Sequence, residues 1–163
     1  MIVKTVLVPL DGSPLAEAAL PRAVELAESS GARLLLLRAA EAHTFPGVDP
    51  VDAQIKVVRE AEDYLAQVTD RFATKGLKDV KASVWYGPAA SAIVEAARVN
   101  EVDLIVMTTH GRSGLGRLIL GSVAESVVRG THTPILLIRV PGSPVQDPKG
   151  AGEAKPWKPL PRS

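Results

Sequence analysis

The sequence predicts an α/β fold: a single doubly wound domain with helices on both faces of a parallel sheet. Two observations carry this. Short β-branched or leucine-rich runs alternate strictly with stretches whose apolar residues recur at helical spacing. Within the strand-like runs the apolar residues are consecutive, as in Leu34, Leu35, Leu36 and Leu37, which suits strands buried on both faces. The length of 163 residues fits one such domain, expected over residues 1–140, plus a tail.

Residues 3–10 form the first strand, bounded by Pro9 and Asp11–Gly12. Ser13 and Pro14 then read as an N-cap and a first helical residue. The helix they open carries Leu15, Ala19, Ala23, Leu26 and Ala27 inward, and Gly31 closes it. Pro21 lies inside that pattern and is expected to kink or open the helix. Residues 33–40 are the second strand and 41–50 a loop rich in Pro, Gly and Asp. A long helix follows, with Val51, Ile55, Val58, Leu65, Val68 and Phe72 on one face and an end near Gly76. Residues 80–86 form a third strand, and Gly87–Pro88 starts a helix with Ala89, Ala92, Ile93, Ala96 and Ala97 inward. Residues 103–108 are the fourth strand, 121–129 a helix and 134–140 the fifth strand. Residues 141–163 shift to Pro, Gly, Lys and Ser without a periodic apolar face, the composition of a disordered tail.

The composition narrows the function. Charged residues make up 23% and the formal net charge is +1, so no global field favours nucleic acid or an anionic membrane. There is no cysteine, which excludes disulfides, thiolate catalysis and Cys-ligated metal sites. No leader segment or membrane span is evident, and a soluble cytoplasmic protein is expected.

In a sheet of this kind ligands bind beyond the carboxyl ends of the strands. The exits of the first, second and fourth strands are therefore the places to search, and the fourth opens into "TTHGRSGLGRLILGSVAES". Gly111 to Gly116 has the glycine spacing of a Walker A loop, but Arg117 stands for its lysine and Leu118 for its metal-binding hydroxyl. A Rossmann glycine loop would follow the first strand, which instead exits through Pro-Leu-Asp-Gly-Ser. The spacing that holds is longer, from Gly111 across nine residues to Gly121–Ser122 at a helix start. Backbone can approach an anion closely at Gly111, and free N–H groups meet it again at Gly121–Ser122. Arg112 and Arg117 could add counter-charge or stay solvated. A plain loop and helix cap give the same letters, and Asp11–Gly12 is equally a common turn. His43, His110 and His132 stand without a carboxylate or second histidine at metal or triad spacing.

"DLIVMTTHGRSGLGRLILGSVAESVV", the closing "PILLIR" and the opening "VLVPLDGSPLAEAAL" together resemble the universal stress protein family over about residues 1–140. The resemblance implies a five-stranded sheet in the order 3-2-1-4-5, as in the adenine nucleotide alpha-hydrolase-like folds, and a homodimer. It also implies ATP as ligand, with Pro9, Leu10 and Asp11 near base and ribose and Asp11 on the ribose hydroxyls. Ala39 would line the adenine pocket; Gly111, Gly121, Ser122 and Val123 would contact phosphates through backbone N–H groups and the serine hydroxyl. Thr108 stands where the family signature has its first glycine, and could crowd the ligand or donate to it. Magnesium would arrive with the phosphates, since it needs few protein ligands.

In that strand order Ile135–Ile138 is outermost, and it lacks the charges that usually protect an edge. Pairing with a second copy across a two-fold axis would cover it. No residue stands out as a general base, so hydrolysis is expected to be slow at most. The function expected is a nucleotide-dependent regulator in stress response; the alternative is a nucleotide-free dimeric interaction or chaperone-like module.

Overall fold

The run Thr-Val-Leu-Val-Pro forms β1 (Thr5–Pro9), the central strand of the sheet. In a computed structural model, residues 2–43, 45–73, 77, 79–109, 120–140 and 142 are described. The remaining elements are α1 (Pro14–Glu17), α2 (Leu20–Ser30), β2 (Arg33–Ala40), α3 (Pro50–Ala73), β3 (Val80–Tyr86), α4 (Ala89–Val99), β4 (Leu104–Thr108), α5 (Ser122–Gly130) and β5 (Ile135–Ile138). All pairings are parallel and the order is β3-β2-β1-β4-β5, as expected.

The consecutive apolar residues in the strands divide between two cores. Val6, Val8, Leu34, Leu36 and Val106 point to one face, where α1, α2 and α3 add Ala16, Leu20, Ala23, Leu65 and Val68, and Ala19 before α2 joins them. Leu7, Leu35, Leu37, Ile105 and Met107 point to the other, against Ile93, Ala96 and Ala97 of α4 and Ala124 and Val127 of α5. Period-two alternation in a strand covered on both sides produces this split.

Local signals behave as their chemistry requires. The Ser13 hydroxyl accepts from the Ala16 N–H at 3.2 Å, with Pro14 at the first helical position. Pro21 does open the helix: α1 ends at Glu17 and α2 begins at Leu20. A proline at 21 has no N–H for the Glu17 carbonyl, so the chain restarts rather than bends. Gly31 closes α2 in the left-handed region at φ 67°, its N–H on the Ala27 carbonyl.

The long helix departs from expectation at its start. Ala61, Leu65, Val68 and Phe72 are buried, but Val51 is 63% and Ile55 43% exposed. At 24 residues α3 is about 36 Å long, whereas the eight-residue β2 beneath it spans about 26 Å. The first turns therefore run past the sheet. Among the described residues no helix is long and apolar enough to cross a membrane. The predicted tail falls almost entirely outside the described residues.

Candidate functional site

The site begins with a ladder that stops early. β1 stays paired with β2 through Pro9↔Leu37, and β4 with β5 through Thr108↔Ile138. Between β1 and β4 the pairing ends at Leu7↔Ile105. The Lys4 carbonyl accepts from Arg33 on the β2 side and the Thr5 carbonyl from Asp103 on the β4 side. By alternation, Leu7 and Pro9 face β4 as well, and a proline has no N–H to carry the ladder on. Here the chain also reverses its winding, with β2 and β3 on one side of β1 and β4 and β5 on the other. A cleft of about 310 Å³ opens at this point, beyond the carboxyl ends of the strands.

Pro9, Leu10, Asp11, Ala39, Thr108, Gly121, Ser122 and Val123 all border the cleft. Gly111 and Arg112, with His110 and Arg117, lie outside the described residues. The structure adds residues expected in the core or unmarked by any motif. Leu37, Met107 and Ile93 are core-forming side chains at the sheet's carboxyl end, and Ala16, Ala89, Thr109 and Ala124 complete the wall. Thr108 and Thr109 are 6% and 7% exposed. A pair of threonines ending an apolar strand was the available signal, because buried hydroxyls need partners.

One end of the cleft is the start of α5. The Thr109 carbonyl accepts from the Gly121 N–H at 2.6 Å, so the chain leaves and returns at a single hydrogen bond. That bond uses the Gly121 N–H, one of the donors expected for phosphate. The first bond within the helix is from the Glu125 N–H to the Gly121 carbonyl. The N–H groups of Ser122, Val123 and Ala124 thus have no partner within the helix, and Gly121 brings no side chain to cap them. Three donors and the positive end of the helix dipole meet at the cleft wall.

At the other end lies Ala39. Leu37 accepts from the Leu10 N–H on the β1 side, and Ala40 from the Gly87 N–H on the opposite side. By alternation the N–H and C=O of Ala39 face β1, one residue pair past the last rung at Pro9↔Leu37. They present a donor and an acceptor side by side toward the cleft.

Asp11 stands between these ends. Its Oδ1 accepts from the Ser13 N–H at 2.8 Å, the turn its sequence suggests, while the residue also borders the cleft. Gly12 follows at φ 84°, a conformation glycine adopts without strain. Beside this turn lies a group that the sequence reading passed over. The Arg38 guanidinium carbon sits 4.9 Å from the centre of the Tyr64 ring. The Tyr64 hydroxyl donates to Glu17 Oε1 at 2.9 Å, and Arg71 binds Glu17 Oε2 at 2.9 Å. Burial foremost, then the bond to Glu17, raise the Tyr64 phenol well above its ordinary pKa; Arg71 opposes this and Asp11 adds to it. The one signal for this group was Arg38, a charge set inside a strand directly after the run Leu34–Leu37.

Among the described residues no group of three acidic, histidine or cysteine side chains is placed to hold a metal ion. The arrangement suits a small elongated ligand with an anionic end at α5, a planar hydrogen-bonding end at Ala39 and hydroxyls near Asp11.

Comparison with known proteins agrees with this architecture. The family model described as the universal stress protein family matches residues 3–139. A universal stress protein of Methanocaldococcus jannaschii is 31% identical over 143 residues, 85% of this chain and 83% of that protein. The solved structure of the universal stress protein UspA from Lactobacillus plantarum is 29% identical, with a TM-score of 0.75 over 85% of this chain and 99% of that one. Another universal stress protein, solved in complex with cAMP, is 26% identical with a TM-score of 0.66, over 85% of this chain and 98% of that one. A sheet ordered 3-2-1-4-5, a cleft where its central ladder opens and a family match from residue 3 to residue 139 lead to one assignment: this chain belongs to the universal stress protein family.

Proposed function

We propose that the cleft binds an adenine nucleotide, ATP in the first place, and that the protein acts in the cytoplasm as a nucleotide-dependent regulator of a stress response. The observation that carries the reading is the placement of two complementary backbone groups at opposite ends of one cleft. The unpartnered N–H groups opening α5 suit phosphate oxygens. The N–H and C=O of Ala39 suit N1 and the 6-amino group of adenine, an acceptor beside a donor. Guanine presents the reverse pair there, a donor and an acceptor, and would leave both backbone groups mismatched. Asp11 would accept from the ribose hydroxyls, and the Ser122 hydroxyl, exposed at the helix start, would add to the phosphate contacts. The relative solved in complex with cAMP supports an adenine nucleotide as the ligand.

Calorimetric titration of the purified protein tests this. ATP is expected to bind at least about tenfold more tightly than GTP, since two mismatched buried groups cost about 1–3 kcal/mol each. Including AMP and cAMP in the series reads how much of the affinity lies in the phosphates. Equal affinity for ATP and GTP would count against the Ala39 contact. No binding of any adenine nucleotide would leave the nucleotide-free interaction module as the better reading.

We further propose that β5 forms a homodimer interface. Ile135, Leu136, Leu137 and Ile138 are all half-buried in a strand with β4 on one side. Ile138 and Pro134 turn their carbonyls to β4, so by alternation Ile135 and Leu137 present their N–H and C=O groups at the open edge. Leu137→Lys is expected to convert a dimer to monomer in sedimentation equilibrium, because it puts a charge into the apolar edge strand that would pair with its copy. An unchanged dimer would place the interface elsewhere.

A further inference from the structure

Arg38 is a charged residue in an apolar strand, and the core does not explain it. It shares a face of β2 with Leu34 and Leu36, which are fully buried against the helices, while Arg38 itself is half-buried at the carboxyl end. Its guanidinium has two neighbours. The Tyr64 ring is one, with the guanidinium carbon 4.9 Å from its centre. Gly12 is the other. A Cβ built on Gly12 would be 3.4 Å from both terminal nitrogens and 3.5 Å from the central carbon. Nearly equal distances to three atoms of a planar group mean that Gly12 approaches it face-on. A long bond of 3.5 Å from Nη1 to the Glu60 carbonyl ties the same group to α3.

We propose that Arg38 is a positioning residue for the ribose end of the cleft: held against Tyr64 and beside Gly12, it fixes the Asp11–Gly12 turn so that Asp11 meets the ribose hydroxyls. This rests on the adenine nucleotide reading above. Within the turn itself the Asp11 side chain accepts from the Ser13 N–H two residues on. Arg38 adds a contact from a different strand, and Tyr64 is itself held through Glu17 on α1 and Arg71 on α3. A flat guanidinium can lie against a ring and let a glycine approach its plane; an ammonium keeps the charge but not the plane. The positive charge also lies beside the turn that bears the Asp11 carboxylate, and favours that carboxylate staying there.

The test compares ATP with its 2′,3′-dideoxy analogue, by calorimetry, in wild type and Arg38→Ala. Wild type is expected to bind ATP roughly tenfold or more tightly than the analogue, the usual worth of hydrogen bonds to a charged acceptor. In Arg38→Ala the ratio is expected to fall to within about twofold of one, with the analogue's own affinity within about threefold of wild type. A general loss of structure would weaken both ligands alike and leave the ratio standing, so a retained ratio overturns the proposal. Arg38→Lys is expected to lose the ratio as well; full retention there would overturn the role of the planar group. Should Arg38→Ala not fold, Tyr64→Leu removes the ring that Arg38 rests against and is read in the same way. Wild-type binding without discrimination between the two ligands overturns this proposal alone, whereas absence of ATP binding by wild type overturns the nucleotide reading beneath it.

Discussion

Replacing Gly121 with aspartate is expected to abolish nucleotide binding while leaving the fold at least as stable as before. Gly121 is the N-cap of α5 at φ −70° and ψ 156°, an extended conformation open to any residue, so the substitution carries no backbone strain. An aspartate there would fold its carboxylate onto the N–H groups at the second and third helical positions, Val123 and Ala124. Those are the donors assigned to phosphate. Stability should rise by a few tenths of a kcal/mol, the usual gain of aspartate over glycine at an N-cap. Binding should lose at least about 3 kcal/mol, since charge-assisted hydrogen bonds are worth about 1.5–3 kcal/mol each and a second anion now repels the ligand. That is more than about a hundredfold in Kd. Urea denaturation and an ATP titration of the same sample read both effects. Wild-type affinity in the aspartate variant would show that α5 does not receive the phosphates. The opposed signs make the result diagnostic, because a general disruption would move stability and binding together.

Leu7→Ala is expected to be the most damaging of the simple truncations, costing about 2–5 kcal/mol. Leu7 has no exposed surface and sits on the central strand, between the ladders to β2 and β4. Its side chain packs with Leu35, Leu37, Ile105 and the α4 and α5 residues that close that face. Neighbours on rigid strands cannot collapse into the space it leaves, so the cavity persists. Against a total of about 5–15 kcal/mol for a domain, this is a large fraction. The midpoint of urea unfolding should fall with the slope unchanged. A loss below about 1 kcal/mol would mean that the two helices close over the gap. Leu7 also precedes Pro9 on the same strand and the Asp11 turn that follows it, and a loosened β1 should weaken ATP binding through their position rather than through contact.

The fold was legible because each element carries its own signal. The Leu34–Leu37 run states a strand buried on both faces, and Ser13–Pro14 and Gly31 mark helix ends through local backbone chemistry. Pro21 announced a break but not whether the helix would bend or restart. The start of α3 misled for a different reason. Val51 and Ile55 keep the helical period of the buried residues after them, and periodicity does not say where the sheet beneath ends. In the cleft, Asp11 and Gly121–Ser122 were legible because a turn and a helix start are local events. Leu37 and Met107 were not, since a residue closing the end of a core looks the same in sequence as one in its middle.

What the sequence by itself determined is the succession of elements, the burial of the strands on both faces and the helix starts. These depend on residues within a few positions of one another, and the resemblance to a known family supplied the strand order that periodicity cannot express. The tertiary structure alone decided where the β1–β4 ladder ends, that Thr109 takes the Gly121 N–H, and that Arg38 reaches Gly12. Each is settled by which distant backbone or side-chain group arrives first to fill a hydrogen bond or a gap. The donors left over at Ser122, Val123 and Ala124 are set by that competition, and no local pattern records its outcome.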